Sequence, residues 1–260
     1  MSGQFIGKCF CMITGASSGF GQSIAQLLVK EDGLFINASH GSKIVFLSRN
    51  IPGMELTKKL MNENGKGMER FSVECLQVDL SDSLETESTV KEFLGKQEKE
   101  FDNFLLFNNS GVLGEISSAF LDCKQNMQDF QKFFNINMIS PIFLIKESLN
   151  HFKNSKRTVV QTSSVAAIKP LSGLSTYCTS KAGMDMFMKC LAIDHPDVTT
   201  LSYSPGPMDT KMFQNLTDNH YLDSVRSVWK DDVLNPISIF KNIHKILSSF
   251  NGIQNVIFPN

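Results

Sequence analysis

Residues 9–21 read CFCMITGASSGFG, a short apolar run followed at once by a loop that carries three glycines. The apolar positions Ile24, Leu27 and Leu28 continue from this loop with helical spacing. Glycines permit positive φ and close approach of the backbone, and the free N–H groups of a first helical turn attract an anion. The stretch therefore predicts a strand, a phosphate-binding loop and a helix. The alternative is a tight loop that only closes a helix against a strand.

Short β-branched and aromatic runs alternate with longer amphipathic stretches along the rest of the chain, which indicates βαβ units and a parallel sheet. The candidate strands are Cys9–Ile13, Lys43–Ser48, Val73–Val78, Asn103–Phe107, Thr158–Thr162, Thr199–Ser204 and Gln254–Phe258. The candidate helices begin near Gly19, Pro52, Ser83, Asn126, Thr176 and Pro236. We expect an α/β fold: one Rossmann-type domain over residues 1–260, with a doubly wound parallel sheet flanked by helices on both faces.

The charge balance favours a small-molecule partner. The formal net charge is -1, from 25 basic and 26 acidic side chains spread along the chain, so we expect neither nucleic acid nor a membrane surface as partner. No apolar run reaches the roughly 18 residues that a membrane span needs. The six cysteines show no metal-ligand spacing, and the N-terminal residues do not resemble a cleavable signal, so we expect reduced thiols and a cytoplasmic protein.

The end of the second candidate strand indicates which dinucleotide is bound. NAD-selective sites place an acidic side chain there, on the ribose 2′-hydroxyl, whereas this strand ends in Leu47-Ser48-Arg49-Asn50. A guanidinium at that point attracts a 2′-phosphate, so we expect NADP(H). The alternative is a solvated arginine at a helix entry. We expect Asp79 and Leu80 beside the adenine, and Asn108 to Gly111 along the pocket.

Tyr177 and Lys181 stand four residues apart at the start of a candidate helix, so they share one face. We expect the Lys181 ammonium to pull the pKa of the Tyr177 phenol below its reference value of about 10, which suits a general acid. Ser164 follows the fifth candidate strand and would bond a substrate carbonyl oxygen. The alternative is an exposed helical pair without a catalytic role.

Four further segments carry predictions. The stiff turn Ser204–Thr210, with two prolines around Gly206, would present backbone groups to the nicotinamide carboxamide; the alternative is a turn that only redirects the chain. The segment Thr210–Asn235 is either a flap over the substrate or a surface helix pair. Glu31–Ser42 and Asn62–Gly67 are predicted to be surface excursions.

Taken together, these residues resemble the short-chain dehydrogenase/reductase family over essentially the whole chain. The resemblance rests on the Thr14–Gly21 loop, Asp79, Asn108–Gly111, Asn137, the set Ser164/Tyr177/Lys181 and Pro205-Gly206. It implies that Asn137 supports a water-linked proton relay to Lys181, and that the protein is a homodimer paired through the helices that follow Asn126 and Thr176.

The same resemblance assigns contacts to the ligands. The implied substrate contacts are Ser164, Val165, Tyr177 and Gly206. The implied cofactor contacts are Gly15, Ala16, Ser17, Ser18, Gly19, Phe20, Gly21, Arg49, Asn50, Asp79, Leu80, Asn108, Tyr177, Lys181, Met208, Asp209, Thr210, Lys211, Met212 and Phe213.

Within the family, the chain is most similar to NADPH-dependent reductases that act on the side-chain ketones of pterins, in tetrahydrobiopterin biosynthesis. Two departures stand out: Ser110 replaces the family's usual alanine, and residues 252–260 lack the aspartate that anchors the pterin in those enzymes. A carbonyl or diketone reductase with a non-pterin substrate is therefore an alternative. A non-catalytic NADPH-binding regulatory protein is a third.

Overall fold

The computed structural model describes residues 5–31, 33–218 and 256–258. Within these ranges, parallel strands form one sheet in the order β3-β2-β1-β4-β5-β6-β7. The strands are β1 Cys9–Thr14, β2 Ser42–Ser48, β3 Phe71–Gln77, β4 Asn103–Asn108, β5 Lys156–Thr162, β6 Val198–Tyr203 and β7 Val256–Phe258. The α-helices are α1 Gly19–Leu28, α2 Ile51–Asn64, α3 Ser83–Gly95, α4 Met127–Phe134, α5 Ser140–His151, α6 Ser175–Asp194 and α7 Lys211–Asp218.

Strand β1 shows why helices cover both faces of the sheet. All six of its residues are buried, and successive side chains point to opposite faces. Cys9, Cys11 and Ile13 pack with apolar residues of α1 and α2, whereas Phe10 and Met12 pack with those of α3, α5 and α6. The predicted doubly wound α/β sheet is confirmed.

The seven predicted strands are all present, with ends that differ by a few residues. Three predictions reach beyond the described ranges. The helix expected near Pro236 and the first two residues of the strand Gln254–Phe258 lie outside them. Of the predicted flap Thr210–Asn235, the described part contains α7.

The helix predicted to begin near Asn126 is interrupted. It starts as α4, passes through a π-helical turn at Asn135–Ile139, and continues as α5. In the turn, the Ser140 N–H bonds to the Asn135 carbonyl, five residues back. Pro141 follows directly and lacks an N–H, so the regular hydrogen-bond ladder cannot run through this point. Asn137 is buried inside the turn.

The prediction that Glu31–Ser42 is a surface excursion is wrong for its centre. Leu34 and Phe35 are fully buried in the core on the side of the sheet that α1 and α2 cover, and the Phe35 ring packs against Phe71. The glycines at either end allow the chain to turn, but the apolar pair between them adds to the core.

The strand order locates a crevice. From β1 the chain runs outward to β2 and β3, then crosses back so that β4 lies on the other side of β1. Ligands of such sheets bind at this reversal, beyond the carboxyl ends of the strands. Within the described ranges, no helix combines the length and the apolar character needed to cross a membrane.

Candidate active site

A cleft of about 1440 Å³ opens at the carboxyl ends of the strands. Typical pockets for small ligands measure roughly 300–1,000 Å³, so this cleft has room for more than one small molecule. Segments that follow five strands line it, and among them are Gly15, Ser17–Phe20, Arg49–Asn50, Asp79–Leu80, Asn109–Leu113 and Thr162–Val165. Residues of the segment before α6, the start of α6, residues 204–214 and Leu216 also line it.

The glycine loop has the geometry of an anion cradle. Gly15 and Gly19 adopt φ values of 70° and 56°, which favour glycine. A Cβ atom on Gly21 would lie 2.3 Å from the Gly15 carbonyl oxygen, so α1 approaches the loop as closely as a glycine permits. Ser18 precedes α1 without a capping side-chain hydrogen bond, and an uncapped helix N-terminus favours a negative group.

Arg49 stands at the outer end of the cleft. Its guanidinium is 3.6 Å from the Asp79 carboxylate, and its side chain is 62% exposed. Asp79 also accepts a hydrogen bond from the Ser81 N–H, and these partners hold the pKa of its carboxyl below the usual value although burial opposes them. The pair leaves most of the guanidinium open to a further anion.

Hydroxyl and amide groups join the loops across the crevice. The Thr14 hydroxyl accepts hydrogen bonds from the N–H groups of Asn109 and Ser110, both at 2.9 Å. The Asn109 amide donates to the Thr14 carbonyl, and its oxygen accepts from the Thr162 hydroxyl. The ends of β1, β4 and β5 are thereby fixed relative to one another.

Tyr177, Lys181 and Ser164 converge on the inner wall of the cleft. Lys181 Nζ lies 5.6 Å from the centre of the Tyr177 ring and donates to the Thr162 carbonyl at 2.8 Å. The Ser164 hydroxyl accepts from the Ala166 N–H and stands beside the phenol, where its hydrogen bond favours the ionised form. A carbonyl oxygen placed here would meet a phenol and a hydroxyl together.

We predicted that the pKa of the Tyr177 phenol lies below its reference value. This prediction is wrong when only the protein's own groups act on the phenol. Burial raises the pKa of the phenol to about 12, and this effect exceeds the help from Ser164. The same burial lowers the pKa of Lys181 to about 8, although the Asp185 carboxylate opposes it. A sequence cannot show this outcome because desolvation depends on how α6 packs on the sheet.

Comparison with known proteins assigns the chain to a family. A model of the short chain dehydrogenases matches residues 10–220. The chain belongs to the short-chain dehydrogenase family. It is an oxidoreductase, and the family resemblance predicted from the sequence is confirmed.

Two groups of relatives of this short-chain dehydrogenase differ in their substrates. Sepiapterin reductase of Rattus norvegicus is 34% identical over 223 residues, which cover 82% of this chain and 79% of the relative. Sepiapterin reductase of Xenopus laevis is 33% identical over 214 residues, with 80% and 77% covered. Benzil reductase ((S)-benzoin forming) of Bacillus subtilis strain 168 is 28% identical over 229 residues, with 84% of each chain covered.

A solved structure shares the fold of this short-chain dehydrogenase. L-sorbose reductase of Gluconobacter frateurii, complexed with NADPH and L-sorbose, aligns with a TM-score of 0.77. The alignment covers 100% of this chain and 97% of that one, at 19% sequence identity. At this identity the likeness concerns the architecture.

Most of the predicted site residues of this short-chain dehydrogenase line the cleft, and four do not. Ala16 is buried in the core, where its carbonyl accepts from the Thr57 hydroxyl. Gly21 packs behind the loop. The amide of buried Asn108 donates to Gln161. Asn137 Oδ1 accepts from the Val112 N–H, and its amide donates to the carbonyls of Val112 and Phe133.

The side chains of Asn137 and Lys181 both lie close to Gly111. A Cβ atom on this glycine would lie 3.0 Å from Asn137 Oδ1 and 3.7 Å from Lys181 Nζ. Both polar groups therefore lie close to the backbone at Gly111, and the amide of Asn137 is occupied by backbone partners. The proton relay through Asn137 stays a prediction.

Sequence reasoning missed the apolar part of the cleft wall. It contains Leu171 and Leu174 from the segment before α6, and Leu216 from α7. Lys169 adds an exposed ammonium to the same segment. Leu171 and Leu174 lie between the end of β5 and Tyr177, where no spacing pattern marks them, whereas Leu216 falls within the predicted flap Thr210–Asn235.

Proposed function

We propose that this chain is an NADPH-dependent carbonyl reductase, and that its substrate is the side-chain ketone of a pterin, as in a sepiapterin reductase of tetrahydrobiopterin biosynthesis. One observation carries the reductase chemistry: Ser164, Tyr177 and Lys181 line one cleft together with the glycine loop Gly15–Gly19. A phenol and a hydroxyl beside a dinucleotide site suit the protonation of a carbonyl that receives a hydride.

The cofactor proposal rests on the chemistry of the outer cleft. The glycine loop and the uncapped start of α1 suit the pyrophosphate, and the exposed Arg49 guanidinium suits a 2′-phosphate. We expect Asp79 and Leu80 to lie beside the adenine, and Met208–Phe213, which also line the cleft, to contact the cofactor. When bound there, NADPH supplies the hydride for the carbonyl carbon.

The proton comes from Tyr177. Because burial raises the pKa of the phenol to about 12, Tyr177 is protonated at neutral pH and is available as the acid. Ser164 donates to the same carbonyl oxygen and polarises it. The Lys181 ammonium, beside the ring, stabilises the phenolate that remains after the proton has moved.

The pterin substrate is favoured by the similarity to the rat and Xenopus laevis sepiapterin reductases, both above 30% identity. A diketone is the second candidate because two benzil reductases are also similar, each at 28% identity. The aliphatic side chains of Leu171, Leu174 and Leu216 along the inner cleft suit either a flat ring or an apolar diketone.

The test is NADPH oxidation, followed by absorbance, with sepiapterin, diacetyl and benzil offered separately. We expect turnover of sepiapterin, and a loss of at least about 1,000-fold in kcat for Tyr177→Phe, because the phenyl ring keeps the shape but has no proton to donate. Turnover of diketones alone would assign the non-pterin substrate. Tight NADPH binding without oxidation of any ketone would establish the non-catalytic alternative.

The remaining predictions concern the molecule as a whole. We propose one domain over residues 1–260 and a homodimer paired through α4, α5 and α6. The dimer is supported by four large apolar side chains that are exposed on or beside these helices, namely Met127, Ile139, Met186 and Ile193.

A cytoplasmic location agrees with six free thiols.

A further inference from the structure

Asp185 is a buried carboxylate that has no role in the proton transfer proposed above. It lies four residues after Lys181 and eight after Tyr177, so the three side chains share one face of α6. Only 5% of its surface is exposed. Burying a charge is unfavourable unless neighbouring groups compensate for it.

The hydrogen bonds of Asp185 lead to the end of β5. Ser163 Oγ donates to Asp185 Oδ2 at 2.7 Å, and the Ser163 N–H donates to the Tyr203 carbonyl on β6. The residue before Ser163 accepts from Lys181 Nζ at 2.8 Å, and the residue after it is Ser164. Three consecutive residues at the end of β5 thus contact three successive turns of one helix.

The charges around Asp185 are few. Lys181 and Lys189, both on α6, face it, and the Ser202 hydroxyl on β6 favours its ionised form. Neither Asp185 Oδ1 nor Ser202 Oγ makes a hydrogen bond of acceptable geometry among the described residues. Burial raises the pKa of Asp185, and in turn the Asp185 charge raises the pKa of Lys181 against the effect of burial.

We propose that Asp185 is a positioning residue for the reduction. It holds the end of β5 against α6 through Ser163, and it is the buried anion that keeps Lys181 charged beside Tyr177. The proposal rests on the proposed roles of Tyr177 and Lys181. An isolated structural carboxylate would stabilise the fold without affecting the titration of Lys181.

The primary test compares Asp185→Asn, which keeps the shape, with Asp194→Asn, which removes a charge from the exposed end of the same helix. Lysine labelled with ¹³C reports the titration of Lys181 by NMR in the protein without cofactor, and the resonance lost in Lys181→Ala assigns it. We expect Asp185→Asn to lower the titration midpoint by about 1 pH unit. The alkaline limb of kcat/KM should move by the same amount. Asp194→Asn should move neither.

Ser163→Ala tests the hydrogen bond separately, and it remains informative if Asp185→Asn does not fold. It keeps the charge, so we expect the Lys181 midpoint to stay near that of the unaltered chain while kcat falls about tenfold or more. Unchanged kcat in Ser163→Ala, or an unchanged Lys181 midpoint in folded Asp185→Asn, overturns the proposal. Full activity of Lys181→Ala would instead overturn the proposed function.

Discussion

Lys181 is a buried cation whose proposed role in the reaction has an energetic cost. Its pKa in the folded protein, about 8, lies below the ordinary 10.5, so the unfolded chain binds more protons between these two values. Below about pH 8 the folded protein carries the full penalty for burying the charge. As the pH rises from about 8 to 10.5 the penalty is removed, and stability increases.

We therefore expect Lys181→Met to raise the free energy of unfolding at pH 7 by about 1–3 kcal/mol, because the difference between the two pKa values corresponds to roughly 3 kcal/mol at most. The Thr162 carbonyl keeps the Gln161 amide as a donor, so the change leaves no bare acceptor. Urea unfolding at pH 7 and at pH 10 measures it, and the gain should shrink at the higher pH. Lys189→Met, at an exposed site, is the control; an equal gain there would contradict the explanation.

Residue identities were easier to predict than residue environments. The four-residue spacing of Tyr177 and Lys181 is enough to place both on one helix face, and both line the cleft. Their pKa values, and the bond between Ser163 and Asp185, depend on the depth at which α6 packs against β5 and β6. No local pattern in the sequence encodes that depth.

At the scale of elements, the close packing of α1 against the glycine loop restricts which residues fit at the cofactor end of the cleft. In Gly21→Ala the new Cβ would lie 2.3 Å from the Gly15 carbonyl oxygen and 2.8 Å from Asn109 Nδ2, so the loop backbone must move. We expect NADPH to bind at least about tenfold more weakly, since the loop amides would lose their alignment with the pyrophosphate. Titration of NADPH fluorescence measures the affinity.

Gly95→Ala is the matched control because a Cβ at this position, the last of α3, meets no atom within 4 Å. Alanine is favoured over glycine in helices, so this variant should bind NADPH normally and be at least as stable as the parent. Normal NADPH affinity in Gly21→Ala would show that the loop is not the pyrophosphate site.

The ends of helices and strands were predictable where apolar residues recur at regular spacing. They were not predictable where the backbone departs from regular helix or strand geometry. The runs of β1 and β4 are continuous and buried, and their positions agree with the sequence pattern. The π-helical turn at Asn135–Ile139 was not predicted, because Pro141 signals an interruption but not its geometry. Leu34 and Phe35 were misplaced because the flanking glycines suggested an exposed loop.

At the scale of the whole molecule, a dinucleotide in the cleft would contact the loops after β2 and β3 at one end and those after β5 and β6 at the other. Ligand that binds only the folded chain stabilises it, by about 2.7 kcal/mol at 100 times Kd, which is roughly 5 °C or more in Tm for a chain of this size. We expect NADPH to raise Tm more than NADH at equal concentration.

Arg49→Asp should remove this preference, because a carboxylate repels the 2′-phosphate. Lys59→Asp, an equal change of charge on the exposed side of α2, should retain it. Thermal scans of the three proteins with each dinucleotide decide the point. Equal stabilisation of the parent by NADH and NADPH would contradict the cofactor assignment.

The central position of β1 also shapes how the protein is made. Residues 9–14 are synthesised well before β4, yet one edge of this strand pairs with β4, about ninety residues later in the chain. Until Asn103–Asn108 has been synthesised, this largely apolar strand therefore has an open edge that invites wrong pairing. Chaperone binding to the nascent amino-terminal third would protect this edge during translation.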